Sequence, residues 1–85
     1  MNEDVIAQIR RVLDEQARLP TPAESLAPNA DLFQAGMSSH ASVSVMLALE
    51  DRFDLEFPDR MLTRSVFESI EAIAAAVAEI RAGSL

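Results

Sequence analysis

The sequence contains no cysteine, no lysine, one histidine and two glycines, and these shortages exclude several kinds of chemistry. Without cysteine, the chain can form no disulfide, no thiolate metal site and no cysteine nucleophile. The single histidine, His40, argues against a histidine metal cluster and against a proton relay between histidines. With only Gly36 and Gly83, the chain has no glycine-rich phosphate loop. We therefore predict no metal site.

The charge of the chain is strongly acidic. Seven arginines stand against fourteen acidic residues, which gives a net charge of −7. Phosphate backbones and anionic membrane surfaces repel such a chain, so we expect no nucleic acid and no membrane among its partners. No apolar run approaches the roughly 20 residues of a membrane span, and the first residues do not resemble a signal peptide. These features predict a cytoplasmic protein whose partners present a basic face.

Length and hydrophobic patterning predict one small domain over residues 1–85. Apolar residues make up 49 % of the chain, which is enough for a single core. No segment alternates with period two, so we expect no sheet. The predicted helices are a first from Asn2 to about Ala17, a second from about Ser39 to Phe53, a short third over about Arg60–Arg64, and a last from about Ser69. The fold prediction is all-α, with three longer helices, one short helix and a long loop, Leu19–Gly36, between the first two.

The second predicted helix carries an apolar stripe. Its apolar members recur at helical spacing, interrupted by Glu50: Val43, Met46, Leu47 and Phe53. This spacing supports the prediction of a helix over these residues.

Intrinsic catalysis finds no support in the polar residues. A hydrolytic triad requires a base within hydrogen-bond reach of the nucleophile. His40 adjoins Ser39, but neighbouring residues on a helix point about 100° apart. The acidic residues are scattered over the predicted helix surfaces, as in a solvated face. We predict that the chain is not an enzyme.

The segment Asp31–Ser39, Asp-Leu-Phe-Gln-Ala-Gly-Met-Ser-Ser, places a hydroxyl at the start of a helix, after a long loop and a glycine. Two interpretations stay open. A serine before a helix is commonly an N-cap. A serine exposed there is also a suitable site for a phosphate ester, because unpaired backbone N–H groups and the positive end of the helix dipole favour an anion. Both hold if Ser38 caps the helix and Ser39 carries a group.

Three further stretches accompany this segment: Leu-Ala-Leu-Glu-Asp-Arg-Phe at 47–53, Phe-Pro-Asp at 57–59, and Phe-Glu-Ser-Ile-Glu-Ala-Ile at 67–73. Together with residues 31–39 they resemble the acyl and peptidyl carrier protein family, from Asp31 to about Val77. The resemblance implies a four-helix bundle with a short third helix. It also implies that a phosphopantetheinyl transferase esterifies Ser39 with 4′-phosphopantetheine, whose thiol carries an acyl or aminoacyl group as a thioester.

The same resemblance implies a surface on which partner enzymes dock, formed by the second helix, the loop before it and the short third helix. The residues that we expect in this surface are Met37, Ser38, His40, Val43 and Met61. Core positions for Val43 and for Met61 are alternatives, since methionine often fills gaps in a core.

Three departures from the family pattern bear on the cargo. Ser38 stands where these proteins usually have aspartate, and His40 stands where they usually have leucine. No acidic residue occurs from His40 to Leu49, although docking to fatty-acid enzymes normally relies on acids there. We therefore favour an amino acid or another non-fatty cargo, with a dedicated loading ligase and a downstream acceptor enzyme as partners.

Two alternatives stay open at this stage. One concerns the modified residue, because Ser38 and Ser42 are also available, although the spacing from Gly36 favours Ser39. The other is an unmodified helical interaction module derived from a carrier fold. Nothing in the sequence resembles a heptad seam, so we expect a monomer.

Overall fold

The computed structural model describes residues 2–83, with side chains from residue 4 onward, and this part of the chain is helical without any strand. It contains four α-helices: α1 (Asn2–Gln16), α2 (Ser39–Phe53), α3 (Arg64–Phe67) and α4 (Ile70–Arg81). Two 3₁₀ turns, Ala23–Ser25 and Asp59–Met61, lie between them. The all-α prediction is confirmed. Within residues 2–83, no helix is both long enough and apolar enough to span a bilayer.

The core lies between the three longer helices, with α1 packed against both α2 and α4. The fully buried side chains of α1 are those at helical spacing along one face: Ile9, Val12 and Leu13. Their counterparts on α4 are Ile70, Ile73 and Val77. Burial of each such side chain stabilises the fold by about 1.5–3 kcal/mol, so this contact holds the bundle together.

The buried face of α2 differs from the predicted apolar stripe. Its core residues are Ala41, Val45 and Leu49, four residues apart. Val43 is 51 % exposed and Leu47 is 55 % exposed. Residues two apart on a helix point about 200° from each other, so burial of the Val45 face turns Val43 and Leu47 outward. Two members of the predicted stripe, Val43 and Leu47, are therefore surface residues, whereas Met46 and Phe53 are partly buried against the core.

The short third helix also differs from its predicted position over Arg60–Arg64. The chain forms a 3₁₀ turn over Asp59–Met61, with the Met61 N–H donating to the Pro58 carbonyl at 2.8 Å. Leu62 and Thr63 then leave the helical conformation, and α3 begins only at Arg64. The predicted helix is thus divided into a turn and a later helix.

The segment between α1 and α2, residues 17–38, is held first by α1. The Arg10 guanidinium donates hydrogen bonds to the carbonyls of Ala23, at 3.3 Å, and Leu26, at 3.0 Å. The Asp14 carboxylate accepts a hydrogen bond from the Ala23 N–H at 2.8 Å. These bonds satisfy backbone groups that a loop would otherwise leave without partners. The segment is an ordered crossover between α1 and α2.

The same segment is also joined to the chain around the start of α4. The Leu32 N–H donates to the Glu68 carbonyl at 2.7 Å, and the Glu71 N–H donates to the Pro28 carbonyl at 2.9 Å. Leu32 itself is fully buried. The crossover is thus hydrogen-bonded both to α1 and to the chain around the start of α4. These bonds position the residues at which α2 begins.

Gly36 lies in this crossover three residues before α2. Its φ of +124° is a backbone conformation that residues with a Cβ rarely adopt. A Cβ added there would lie 3.0 Å from Cδ of Pro20. Glycine is therefore required both by the turn and by the close approach of Pro20.

We expect Gly36→Ala to lower the free energy of unfolding by about 2 kcal/mol or more, because it combines backbone strain with a steric contact. Gly83→Ala is the matched control, since Gly83 has φ of +71° with nothing within 4 Å of an added Cβ. Its cost should be at most about 1 kcal/mol. Urea unfolding followed by circular dichroism measures both, and equal losses would contradict the role of Pro20.

Candidate functional site

Ser38 is the N-cap of α2. Its backbone is extended, with φ −80° and ψ 164°, and its hydroxyl oxygen accepts a hydrogen bond from the Ala41 N–H at 3.0 Å. The Ser38 carbonyl accepts the first helical bond, from the Ser42 N–H, at 3.0 Å. Ser38 therefore has a structural role that occupies its hydroxyl oxygen.

Ser39 is the first residue of α2, and its side chain is exposed. Its hydroxyl makes no hydrogen bond to any residue of the described part of the chain, whereas the Ser42 hydroxyl donates to the Ser39 carbonyl at 2.6 Å. The N–H groups of Ser39 and His40 belong to the first turn, where a helix has no internal acceptors. Of the three serines near the start of α2, Ser39 is the one whose hydroxyl is left available.

Hydrogen bonds in the turn before α2 give a physical reason for the spacing of the residues between Asp31 and Ser38. The Asp31 carboxylate accepts hydrogen bonds from the N–H groups of Phe33, at 2.9 Å, and Gln34, at 3.2 Å. The Met37 N–H then donates to the Leu32 carbonyl at 3.0 Å. Asp31 thus closes the turn that delivers the chain to Ser38, and its carboxylate is used for structure.

An apolar groove opens beside Ser39, with a volume of about 440 Å³. Its walls come from the turn before α2, from α2 itself and from the segment around α3: Phe33, Ser39, Ser42, Val43, Met46, Leu62, Thr63, Arg64 and Phe67. Phe67 is buried and packs edge-on against Phe57, with ring centroids 5.3 Å apart. A buried aromatic side chain and the available hydroxyl of Ser39 therefore line the same groove.

One charged side chain lies in the wall of this groove. The guanidinium carbon of Arg64 is 4.1 Å from the centroid of the Phe33 ring, within cation–π distance. Phe33 is half-buried, whereas Arg64 is exposed. The groove is thus apolar along its length and positively charged at one wall.

The expected docking residues divide into two sets. Ser38, His40 and Val43 are exposed at the start of α2. Met37 and Met61 are only 2 % and 5 % exposed. This corrects the expectation that these two methionines present a surface, because both side chains pack into the hydrophobic core.

Sequence reasoning missed other exposed or accessible groups near Ser39. Leu62 is 47 % exposed in the groove wall, and Leu47 extends the exposed apolar face of α2 beyond Val43. Arg64 was also missed, because the predicted short helix ended there and gave no sign that it reaches Phe33. The four-residue spacing between Val43 and Leu47 places them on the same face of α2, and this spacing could have identified Leu47 from the sequence.

The residues at the start of α2 fit a phosphate ester on serine. Such a group needs an exposed hydroxyl without competing bonds, and Ser39 supplies one. The following part of α2 adds no negative charge beside it, since no acidic residue occurs from His40 to Leu49. The described residues contain no cluster of three or more potential metal ligands.

Comparison with known families supports this assignment of the site's chemistry. The family model described as phosphopantetheine attachment site matches residues 4–77. The chain therefore belongs to the phosphopantetheine-binding carrier protein family, whose prosthetic group is covalently attached 4′-phosphopantetheine. It is a carrier and not an enzyme.

The similarity extends to particular proteins. The chain is 52 % identical, over 67 residues, to the aminoacyl carrier protein of Agrobacterium fabrum, covering 79 % of this chain and 81 % of that protein. It also matches a chain in the crystal structure of an engineered Bradyrhizobium japonicum glycine:[carrier protein] ligase complexed with carrier protein from Agrobacterium tumefaciens and AMP. That match has a TM-score of 0.84 and 49 % identity, and covers 86 % of this chain and 97 % of the other.

A third similarity is more distant. The crystal structure of Bradyrhizobium japonicum glycine:[carrier protein] ligase complexed with glycylated carrier protein contains a chain that matches with a TM-score of 0.65 and 25 % identity. The match covers 88 % of this chain and 96 % of that chain. The helical arrangement is thus shared at both levels of identity.

Ser38 and Ser39 should differ in how much each contributes to the free energy of unfolding. We expect Ser38→Ala to lower the free energy of unfolding of the unmodified protein by about 1 kcal/mol, because it removes the N-cap bond to Ala41. Ser39→Ala should change it by less than about 0.5 kcal/mol, since its hydroxyl makes no hydrogen bond within the described residues. Parallel denaturant titrations test this difference, and a larger loss in Ser39→Ala would contradict it.

Proposed function

We propose that Ser39 is the attachment site of 4′-phosphopantetheine and that this chain presents an amino acid as a thioester on that group. The observation that carries the proposal is the difference in hydrogen bonding among the serine hydroxyls at the start of α2. Ser38 caps the helix and Ser42 donates to the Ser39 carbonyl, so Ser39 alone of the three keeps a hydroxyl without a partner in the described structure. Residues 1–85 form a single carrier domain in this proposal.

Attachment requires a separate transferase, because the described residues place no general base against Ser39. In that reaction Oγ of Ser39 bonds to the phosphorus next to the pantetheine of coenzyme A. Adenosine 3′,5′-diphosphate leaves, and the serine proton passes to a base of the transferase. The contribution of this chain is to hold Oγ at an exposed helix start. When bound, the prosthetic group supplies the thiol that bears the cargo.

An aminoacyl cargo is supported by the relatives. The protein of Agrobacterium fabrum at 52 % identity is an aminoacyl carrier protein, and two structural matches come from complexes with a glycine ligase. We therefore propose a ligase of this kind as the loading partner and glycine as the first amino acid to test. A downstream acceptor enzyme, a cytoplasmic location and a monomeric state belong to the same proposal.

The docking surface that we propose for these partners is the exposed face formed by His40, Val43, Leu47 and Leu62. Three of these four residues are apolar and about half exposed. Val43 and Leu62 line the groove, His40 follows Ser39 directly, and Leu47 lies one helical turn beyond Val43. The stretch from His40 to Leu49 carries no acid, so a partner meets this part of α2 through apolar contact and not through charge pairing.

The attachment site is tested by intact mass after coexpression with a broad-specificity phosphopantetheinyl transferase. We expect a gain of one phosphopantetheinyl group in the wild type and in Ser38→Ala and Ser42→Ala, and no gain in Ser39→Ala. A gain that persists in Ser39→Ala would move the site to another serine. No gain in any variant would instead support an unmodified interaction module.

The docking surface is tested by the rate at which a glycine:[carrier protein] ligase loads the modified protein. We expect Val43→Asp to raise the KM for the carrier about tenfold, as for loss of about 1.4 kcal/mol of binding, because it places a charge in an apolar contact. His40→Leu should raise it several-fold without loss of stability, since His40 is exposed.

The matched control is Ala75→Asp, which adds the same charge at an exposed position of α4. Loading of this variant should equal that of the wild type. Equal slowing of the Val43 and Ala75 variants would show an effect of total charge, and unchanged loading of His40→Leu would remove His40 from the recognition surface.

A further inference from the structure

Arg64 differs from the other arginines in its position, because its side chain lines the groove that contains Ser39. Its guanidinium lies over the ring of Phe33 at 4.1 Å, and both side chains line the groove that contains Ser39. Within the described residues, Arg64 forms no ion pair with a carboxylate, whereas Arg52 and Arg60 pair with Glu15 and Glu79. The Arg64 guanidinium contacts a ring face and no carboxylate in the described structure. It therefore retains its capacity to bind an anion.

The remaining arginines are engaged or placed elsewhere, and Arg11 lines a pocket that also contains Asp14 and Glu24. Arg10 donates to the carbonyls of the crossover, and Arg81 lies over Phe53. Arg18 lines a different pocket, in which Glu15 supplies an opposite charge and Ser38 and His40 are also present. Arg18 is therefore the natural competitor of Arg64 for any anion bound near the start of α2.

The group expected on Ser39 brings a permanent anion to this groove, because its phosphodiester is ionised at neutral pH. Along α2 itself, the residues next to the attachment point add no negative charge: Ser38 caps the helix with a neutral hydroxyl, and His40 to Leu49 contains no acid. A guanidinium can form two parallel hydrogen bonds to phosphate oxygens, which exceed a cation–π contact at an exposed site in strength.

We propose that Arg64 binds the phosphate of the prosthetic group and leaves the ring of Phe33 when that group is attached. This inference rests on the proposed modification of Ser39. Arg64 is an exposed side chain at the first position of α3, so a change of rotamer needs no rearrangement of the core. Release of the ring uncovers an apolar surface in the groove. Arg64 is thus a positioning residue that directs the first part of the prosthetic group along the groove between α2 and α3.

The test compares the unmodified and modified protein by nuclear magnetic resonance, after intact mass has shown complete modification. Because the Arg64 guanidinium lies over the Phe33 ring in the unmodified protein, we expect its Nε–H proton to show an upfield ring-current shift. This shift should be lost on modification. The ³¹P resonance of the phosphodiester should move in Arg64→Gln, and this difference should shrink at 1 M salt, where surface charges are screened. Arg64→Lys keeps the charge but not the fork, so it should give an intermediate ³¹P shift.

Arg18→Gln and Arg60→Gln are matched controls that remove the same charge from other positions, and both should leave the ³¹P resonance unchanged. An Arg64 Nε–H resonance that is identical with and without the group would overturn the proposal. So would equal ³¹P shifts in all three glutamine variants, or a shift in Arg18→Gln alone. Absence of the mass gain would reject the proposed function itself, which separates the two failures.

Discussion

The position of Ser39 depends on how the segment of residues 17–38 is held. This segment is not helical over most of its length, so its backbone groups need partners outside a helix. Arg10 and Asp14 of α1 bind its first half, and the backbone of Glu68 binds Leu32 in its second half. These bonds determine where α2 begins, and therefore where the available hydroxyl lies relative to the groove.

The start of α2 carries no acidic side chain, although the chain as a whole is strongly acidic. A serine cap satisfies the first turn without adding a carboxylate beside the attachment point. The exposed face that follows is apolar at Val43 and Leu47, and the nearest cation of the groove, Arg64, is not neutralised by an ion pair in the described structure. The surface around Ser39 is consequently less acidic than the net charge of −7 implies.

The face of α2 that is buried and the position of the third helix were not determined by the local sequence pattern. The spacing of Val43, Met46 and Leu47 fits a buried face as well as the spacing of Ala41, Val45 and Leu49, because an apolar helix offers more than one stripe. Which stripe is buried depends on the direction from which α1 packs. Likewise, the division of the predicted third helix follows from the non-helical backbone at Leu62 and Thr63, which no local propensity indicated.

The sequence by itself determined the all-α class, the bounds of α2, Ser38 as a candidate for its cap, and the candidate hydroxyl of Ser39. These features rest on local chemistry, since periodicity, capping and turn residues act over a few positions. Only the tertiary structure decided that Met37 and Met61 are buried, that Val43 and Leu47 are exposed, and that Arg64 lies over Phe33. Those outcomes depend on contacts between residues far apart in the chain, which the packing of whole helices sets.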